Sequence, residues 1–403
     1  MSPEPPTDNR QAGGIPRWLP WLGAALALAG LAAWAPIYGN HATRPHAAAI
    51  LLVNFLYWTG LAQAGVVWAA TLRLCRTRWS HAPERLGEAF VAFLPLALIP
   101  FGVLYLCEDY VLPWAGRDMG DRTLWVNPSG IFARNAVGLV VMLWLSVAYV
   151  RRRLATNGGT YSRNGNRALE SAPTDGDNGD RGTSVLAVLV PLVYTVVYSI
   201  LAFDFIMGLQ QPWYSTLIGG YFFVGNMYAG MAAIVVLASV LGPRLGFGAH
   251  LQRQQWLDIG NLLQAFGMLT IYMFFSQLIP IWYGNMPHET SFLLARFHHE
   301  PWRTVVWCVI AGAYFGPFLL MCLTEIKRNP VTLRAVAALV LVGMYVERYL
   351  LVIPSLEPRG SAFGPSEVLT AVGFGGAFLA AFAWYVLRYG PLWARGEQRE
   401  AKH

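Results

Sequence analysis

Ten apolar stretches follow one another along the chain, and each is about as long as a membrane-crossing helix. About 20 apolar residues cross the roughly 30 Å hydrocarbon layer of a bilayer as an α-helix. Only 13% of the residues are charged, which leaves too few solvated side chains to cover a folded surface in water. The sequence therefore predicts an all-α integral membrane protein with ten transmembrane helices, near residues 18–38, 47–74, 87–107, 128–150, 185–210, 216–242, 256–283, 302–324, 331–353 and 364–389.

Lysine and arginine are divided unevenly between the two sets of connections. Twenty lie on the side of the N-terminus and five on the opposite side. By the positive-inside rule, both termini are predicted to be cytoplasmic. The net charge of +7 is thus assigned to membrane orientation, and no nucleic-acid partner is expected. The first span lacks a small-residue cleavage site, so we interpret it as a retained anchor.

An internal repeat is indicated by four ordered correspondences. Paired aromatics, a glycine and then Ala-Gly recur in the second and sixth spans, and a polar pair followed by Pro and Trp ends the third and seventh. An arginine begins the fourth and eighth spans, and an acid lies in the fifth and ninth. The matched segments are 55–65 with 220–230, 108–114 with 276–283, Arg134 with Arg303, and Asp204 with Glu347.

Spans 2–5 and 6–9 are therefore predicted to form two repeated four-helix bundles, flanked by spans 1 and 10. The chain divides into five parts: a cytoplasmic arm, the first span with its outer loop, a first bundle, a second bundle, and the tenth span with its tail. These are residues 1–17, 18–46, 47–210, 211–353 and 354–403. Residues 151–184, rich in Gly, Asn, Ser and Thr, are predicted to be a flexible cytoplasmic loop, either a plain linker or a regulatory element.

No redox centre is expected in the spans. Every histidine lies in a loop, at a span end or in the tail, whereas a membrane haem needs imidazole ligands from within the spans. The four cysteines are scattered and form no CxxC motif. The cluster His298-His299-Glu300 suits either an interfacial polar patch or a metal, but adjacent histidines do not share a helix face, so no metal site is predicted.

Two acidic residues are predicted to lie inside the membrane. Asp204 is about 19 residues into its span and Glu347 about 16 into its own, which places both in the outer third of the bilayer. Glu347 is followed by Arg348, an unlikely adjacency in a lipid-facing position, so one or both must face protein or water. Such residues are functional candidates, here for proton transfer, although pairing with arginines such as Arg134 and Arg303 for packing alone remains the alternative.

The seventh span carries a polar series whose separations keep its members near one helical face. With internal water this face could relay protons from the cytoplasmic end to the outer end; otherwise its groups join helices by hydrogen bonds. Asn226 and two acids at cytoplasmic span ends could extend it. The series is Asp258, Asn261, Tyr272, Ser276 and Tyr283, and the acids are Glu88 and Glu325.

Two segments carry a resemblance. Residues 204–222 (DFIMGLQQPWYSTLIGGYF) and 275–290 (FSQLIPIWYGNMPHET) resemble the NrfD/PsrC-like membrane subunits of bacterial alternative complex III. Ten spans in two bundles, cytoplasmic termini and the lack of haem agree with it. The likeness covers nearly the whole chain and is greatest to the shorter, ActF-like, of that complex's two such subunits.

The resemblance implies a multi-pass subunit of a respiratory quinol:cytochrome c oxidoreductase in the bacterial inner membrane, not catalytic alone. The implied partners are multihaem and monohaem cytochrome c subunits, an iron–sulfur subunit, a second NrfD-like subunit, a terminal oxidase and membrane lipid. Quinone or lipid is the only small molecule expected to bind. Candidate quinone contacts are Asp204, Trp213, Tyr283, His288 and Glu289.

Two other functions stay open. A non-catalytic scaffold of the same complex would use every polar group as structural glue. A secondary transporter would have broken helices and a substrate site near the midplane. The polar groups of this sequence instead concentrate at the two ends of the spans.

Overall fold

The computed structural model describes residues 14–75, 81–115, 125–158, 176–211, 213–245, 251–357, 360 and 363–400. Regular structure in these residues is entirely helical. The helices are α1 (Leu19–Gly39), α2 (Arg44–Leu74), α3 (His81–Ala89), α4 (Leu94–Leu106), α5 (Glu108–Val111), α6 (Pro128–Gly158), α7 (Gly176–Phe205), α8 (Ile218–Leu245), α9 (Arg253–Gly284), α10 (Pro287–Phe297), α11 (Trp302–Val309), α12 (Gly316–Met321), α13 (Thr324–Arg328), α14 (Pro330–Leu356) and α15 (Pro365–Glu400).

Ten helices of the described chain are long and apolar enough to cross a membrane, as predicted. The third joins α3 to α4 through the 3₁₀ turn Phe90–Phe93, and the eighth joins α11 to α12 through the π-helical segment Ile310–Phe315. The predicted loop 151–184 is too long at both ends, because α6 continues to Gly158 and α7 begins at Gly176. The part of that loop between 159 and 175 lies outside the described residues.

Two helices, α2 and α8, form the centre, and nearly all their side chains are buried. They approach closely where Gly230 of α8 meets α2: a Cβ at Gly230 would lie 2.7 Å from the Ala64 Cβ. Small residues permit such an approach in lipid, where packing contacts stabilise helix pairs. Both central helices also pack against α7 and α14.

The first and last spans pair with each other at the periphery. A Cβ at Gly30 of α1 would lie 2.4 Å from the Gly373 Cα of α15, and Gly23 is equally close to the backbone of Gly376. A cluster of one histidine and two glutamates links α15 to the central helix α2. The His46 Nδ1 lies 2.8 Å from Glu357 Oε2, and its Nε2 lies 2.8 Å from Glu367 Oε1.

We name the two ends of the bundle by one residue each. At the Asp204 end lie the last turn of α7, α10 and the end of α14. At the Arg153 end lie α3 and the C-terminal part of α6, where Arg153 donates to Glu84 and Glu88. These two carboxylates hold Arg153 in a continuing helix, which explains why α6 does not stop at residue 150.

Candidate functional site

Glu347 is the most deeply buried acid at the Asp204 end. It lies on α14 with 1% of its surface exposed. Its Oε2 accepts a hydrogen bond of 2.5 Å from Nη1 of the neighbouring Arg348. The other carboxylate oxygen, Oε1, has no hydrogen-bond partner although it is buried. A buried unpaired oxygen is costly, and here it leaves a lone pair free to accept a proton.

Arg348 turns from Glu347 toward the central helix α8. Its Nη2 donates to the Phe222 carbonyl at 3.1 Å and to Asn226 Oδ1 at 3.0 Å. The guanidinium also lies over the Phe222 ring, 4.4 Å from its centroid. Gly225 makes room, because a Cβ there would lie 2.9 Å from Nη2. The Glu347–Arg348 pair is thereby fixed against the protein core and away from lipid, as predicted for such an adjacency.

Two tyrosines face the free side of Glu347. Tyr221 of α8 lies beside the carboxylate, and its hydroxyl is 2.5 Å from that of Tyr314; when Tyr314 is the donor of this pair, the Tyr221 O–H can turn toward Glu347. Tyr314 belongs to the π-helical segment, and such segments often mark functional positions in α-helices. Glu347 and both tyrosines line a cavity of about 50 Å³, which has room for more than one water molecule.

Arg296 of α10 lines the same cavity, with 3% of its surface exposed. Its five N–H groups are all used by neutral acceptors: the carbonyls of Phe292, Leu350 and Leu351 and the side chains of Gln210 and Ser355. Burial lowers the pKa of Arg296 to about 9, so it remains charged at neutral pH. Among the described residues no carboxylate lies within ion-pair distance of it, and its positive charge therefore acts on the cavity.

A larger groove of about 610 Å³ lies between the end of α9 and α10. Its wall is mostly apolar and includes Phe275, Ile279 and Trp282. The groove and the Glu347 cavity share Leu278, Leu293 and Phe297 as a common wall. An amphiphile from the membrane could therefore lie in the groove with its polar head toward Glu347.

Asp204 differs from Glu347 in being enclosed by partners. Arg134 donates to both of its oxygens, with Nε 2.7 Å from Oδ2, and Asn135 Nδ2 lies 2.5 Å from Oδ2. Arg134 also lies over the Trp125 ring. The alternative of pairing with Arg134 is thus realised for Asp204. The matching arrangement is absent from the second half, because Arg303 is exposed and Glu347 pairs with Arg348.

The two acids predicted at cytoplasmic span ends have opposite surroundings. Glu88 is fully buried, with Oε1 3.1 Å from Arg153 and Oε2 3.3 Å from Arg85. Glu325 is exposed and pairs with Arg328 at 3.4 Å. Only Glu88 belongs to the packed interior.

The polar series of the seventh span does not converge on the cavity. Tyr272 and Tyr283 are 63% and 86% exposed, and Ser276 is half-buried. Asp258 accepts from Gln254 at 3.2 Å, and Asn261 accepts from Lys327 at 2.7 Å. The polar residue of α9 that does line the cavity is Gln277, next to Ser276.

The predicted quinone contacts are dispersed. Trp213 is buried and stacks on Phe292, with ring centroids 3.9 Å apart, while Tyr283 faces outward. Glu289 is half-buried in the first turn of α10, and the His288 side chain lies outside the described part of the structure. Of these residues, Trp213 comes nearest to the Glu347 cavity, because its stacking partner Phe292 lines that cavity.

Four polar cavity residues were not singled out as candidates from the sequence: Tyr221, Gln277, Arg296 and Tyr314. Two prolines in the sequence indicate helix carbonyls that need a donor from another helix. Pro354 has no N–H for the Leu350 carbonyl, and Pro317 has none for the Ala313 carbonyl. In a membrane such carbonyls need donors from other helices. The Leu350 carbonyl accepts from Arg296, and the Ala313 carbonyl accepts from Tyr228.

Fold and site together define a multi-pass helical membrane protein that buries a carboxylate beside an open, mostly apolar groove. The chain matches no known protein-family model, and no curated protein is significantly similar to it.

Proposed function

We propose that the chain is a proton-transferring membrane subunit of a quinol:cytochrome c oxidoreductase of the alternative complex III type, in a bacterial inner membrane. The observation that carries the proposal is the unpartnered Oε1 of Glu347 in a cavity able to hold water. Quinol oxidation releases two electrons and two protons. The electrons pass to haem and iron–sulfur partner subunits, and a carboxylate beside the quinol receives a proton.

The groove between α9 and α10 is the proposed quinol site. Its apolar walls suit an isoprenoid tail, and the shared wall at Leu278, Leu293 and Phe297 places the ring next to the cavity. This position replaces the dispersed contacts expected from sequence. The uncompensated charge of Arg296 stabilises the negative charge that develops on a quinol oxygen as its proton leaves.

The repeat and the orientation are part of the same proposal. The pairing of α2 with α8, each contacting α7 and α14, supports two repeated bundles that meet along their equivalent helices. The uneven distribution of Lys and Arg supports a cytoplasmic Arg153 end and an outer Asp204 end. In a cysteine-free background, Asn40→Cys should then react with an impermeant thiol reagent from outside, and Arg253→Cys should not.

The central experiment compares Glu347→Gln with Glu325→Gln in the natively purified complex. Glu347→Gln should lower quinol-driven proton release and turnover by about a hundredfold or more, since a positioned base contributes at least that much. Glu325→Gln changes an exposed acid at the other end and should leave both unchanged. Normal turnover per assembled Glu347→Gln complex would contradict the proposal and support the scaffold alternative.

The groove is tested separately. Leu293→Trp fills the passage between groove and cavity and should raise the KM for quinol, with the complex still assembled. The control is Leu269→Trp, which enlarges an exposed side chain of α9 away from the groove. Equal KM values for the two variants would place quinol elsewhere.

A further inference from the structure

The first bundle contains a buried polar stripe that the Glu347 site does not use. It follows one face of α6, since separations of 11, 3 and 4 residues return to nearly the same direction around a helix. Its members, Asn135, Ser146, Tyr149 and Arg153, are each at most 4% exposed. The stripe thus runs through the bundle from the Asp204 end to the Arg153 end.

An acid stands at each end of this stripe. At one end Asn135 donates to Asp204, and at the other Arg153 donates to Glu88 and Glu84. All three carboxylates are nearly or fully buried. The stripe therefore lies between titratable side chains at the two ends of the bundle.

The middle of the stripe is joined to α2 and α7. Gln63 Nε2 donates to Ser146 Oγ at 2.9 Å, and the Tyr198 hydroxyl donates to the Thr59 carbonyl at 3.1 Å. Thr59, Gln63 and Tyr198 line a small cavity of about 10 Å³, about the size of one water molecule. Thr59 is 3% exposed, and its hydroxyl has no hydrogen-bond partner.

We infer that this cavity is a water site, and that the water links a second proton path through the first bundle, distinct from the Glu347 cavity. Thr59 Oγ1, the Gln63 amide and the Tyr198 hydroxyl supply the two to four polar partners that a buried water needs. The path runs from Glu88 past Tyr149 and Ser146 to this water, and on to Asn135 and Asp204, while the Arg153 cation holds Glu88 in place. This inference rests on the proposed proton-transferring function.

The spacing of the groups shows which interval of the path lacks polar side chains. Ser146 and Arg153 are about 10 Å apart along the axis, and Tyr149 lies between them on the same face with its hydroxyl donating to the Ala69 carbonyl at 3.2 Å. Asn135 and Ser146 are about 16 Å apart, and Leu139 and Met142 fill part of that interval. At hydrogen-bond lengths near 2.8 Å, an interval of about 16 Å takes about six steps, so about four waters besides the one in the cavity must enter beside Leu139. Leu139 is therefore the gate of the path, and transfer requires transient wetting there.

Thr59→Val separates this inference from a structural role for the stripe. Valine has the same shape, and no protein group loses a partner, so structural glue predicts unchanged stability and unchanged proton movement. The water path predicts that proton uptake, driven across vesicles containing the native complex by turnover or by an imposed potential, falls about tenfold because one water loses a ligand. Gln63→Leu should have at least the same effect.

Thr270→Val is the matched control, because its buried hydroxyl bonds only to the Phe266 carbonyl of its own helix. Wild-type proton movement in both Thr59→Val and Gln63→Leu, with Glu347→Gln still defective, would overturn the second path and leave the proposed function standing. Proton movement that none of the three substitutions affects would overturn both.

Discussion

The Nε–H of Arg296 donates to the Leu350 carbonyl at 2.9 Å, the carbonyl that Pro354 deprives of its helical donor. Arg296 thus completes α14 from the neighbouring helix α10. The same contact fixes the guanidinium at the wall of the Glu347 cavity. One side chain therefore serves both the integrity of the ninth span and the charge distribution of the site.

Arg296→Ala should destabilise the protein strongly. The carbonyls of Leu350 and Leu351 would lose side-chain donors inside the protein, at a cost on the order of 3 kcal/mol in total. Thermal unfolding in mild detergent measures the change. Arg303→Ala removes an exposed arginine and should alter stability by less than about 0.5 kcal/mol. Similar melting temperatures for the two variants would refute this role of Arg296.

The Glu347–Arg348 pair should show strong coupling. Arg348→Met alone leaves a buried carboxylate without its cation, which typically costs about 3–5 kcal/mol. Glu347→Gln combined with Arg348→Met removes both charges and should recover part of that loss. A double-mutant cycle on unfolding free energies measures the coupling. Additive effects would show that the two charges do not stabilise each other.

Asp204 and Arg134 should respond unequally to substitution. Arg134→Ala leaves Asp204, 2% exposed, with Asn135 as its remaining hydrogen-bond partner. Asp204→Asn leaves Arg134 with the Trp125 ring and carbonyl and with partial access to the surface. The arginine variant should therefore be the less stable by about 1–2 kcal/mol in unfolding assays. The reverse order would contradict the buried geometry of this pair.

Gly30→Val should detach α1 from α15. A Cβ at Gly30 would lie 2.4 Å from the Gly373 Cα, and backbone cannot yield as a flexible side chain does. Disulfide cross-linking between cysteines placed in α1 and α15 should fall sharply in this variant. Gly102→Val provides the control, since nothing lies within 4 Å of a Cβ at that glycine. Undiminished cross-linking would rule out this tight crossing.

Hydropathy predicted the ten spans because the length of an apolar run reports directly on membrane crossing. The burial of Asp204 and Glu347 was also readable, because lipid does not tolerate isolated acids. Rotation about the helix axis was not readable, since lipid and protein interior select equally apolar side chains. For this reason Ser276 was chosen on the seventh span where Gln277 lines the cavity. The contrast between an enclosed Asp204 and a half-paired Glu347 depends on partners from other helices, which no single span encodes.

The close pairing of α1 with α15 also bears on biosynthesis. Helix α1 packs chiefly against α15, so its glycine face lies against lipid until α15 has been inserted. A chain truncated before residue 365 would present that face without its partner, and insertion of α15 is the step that covers it.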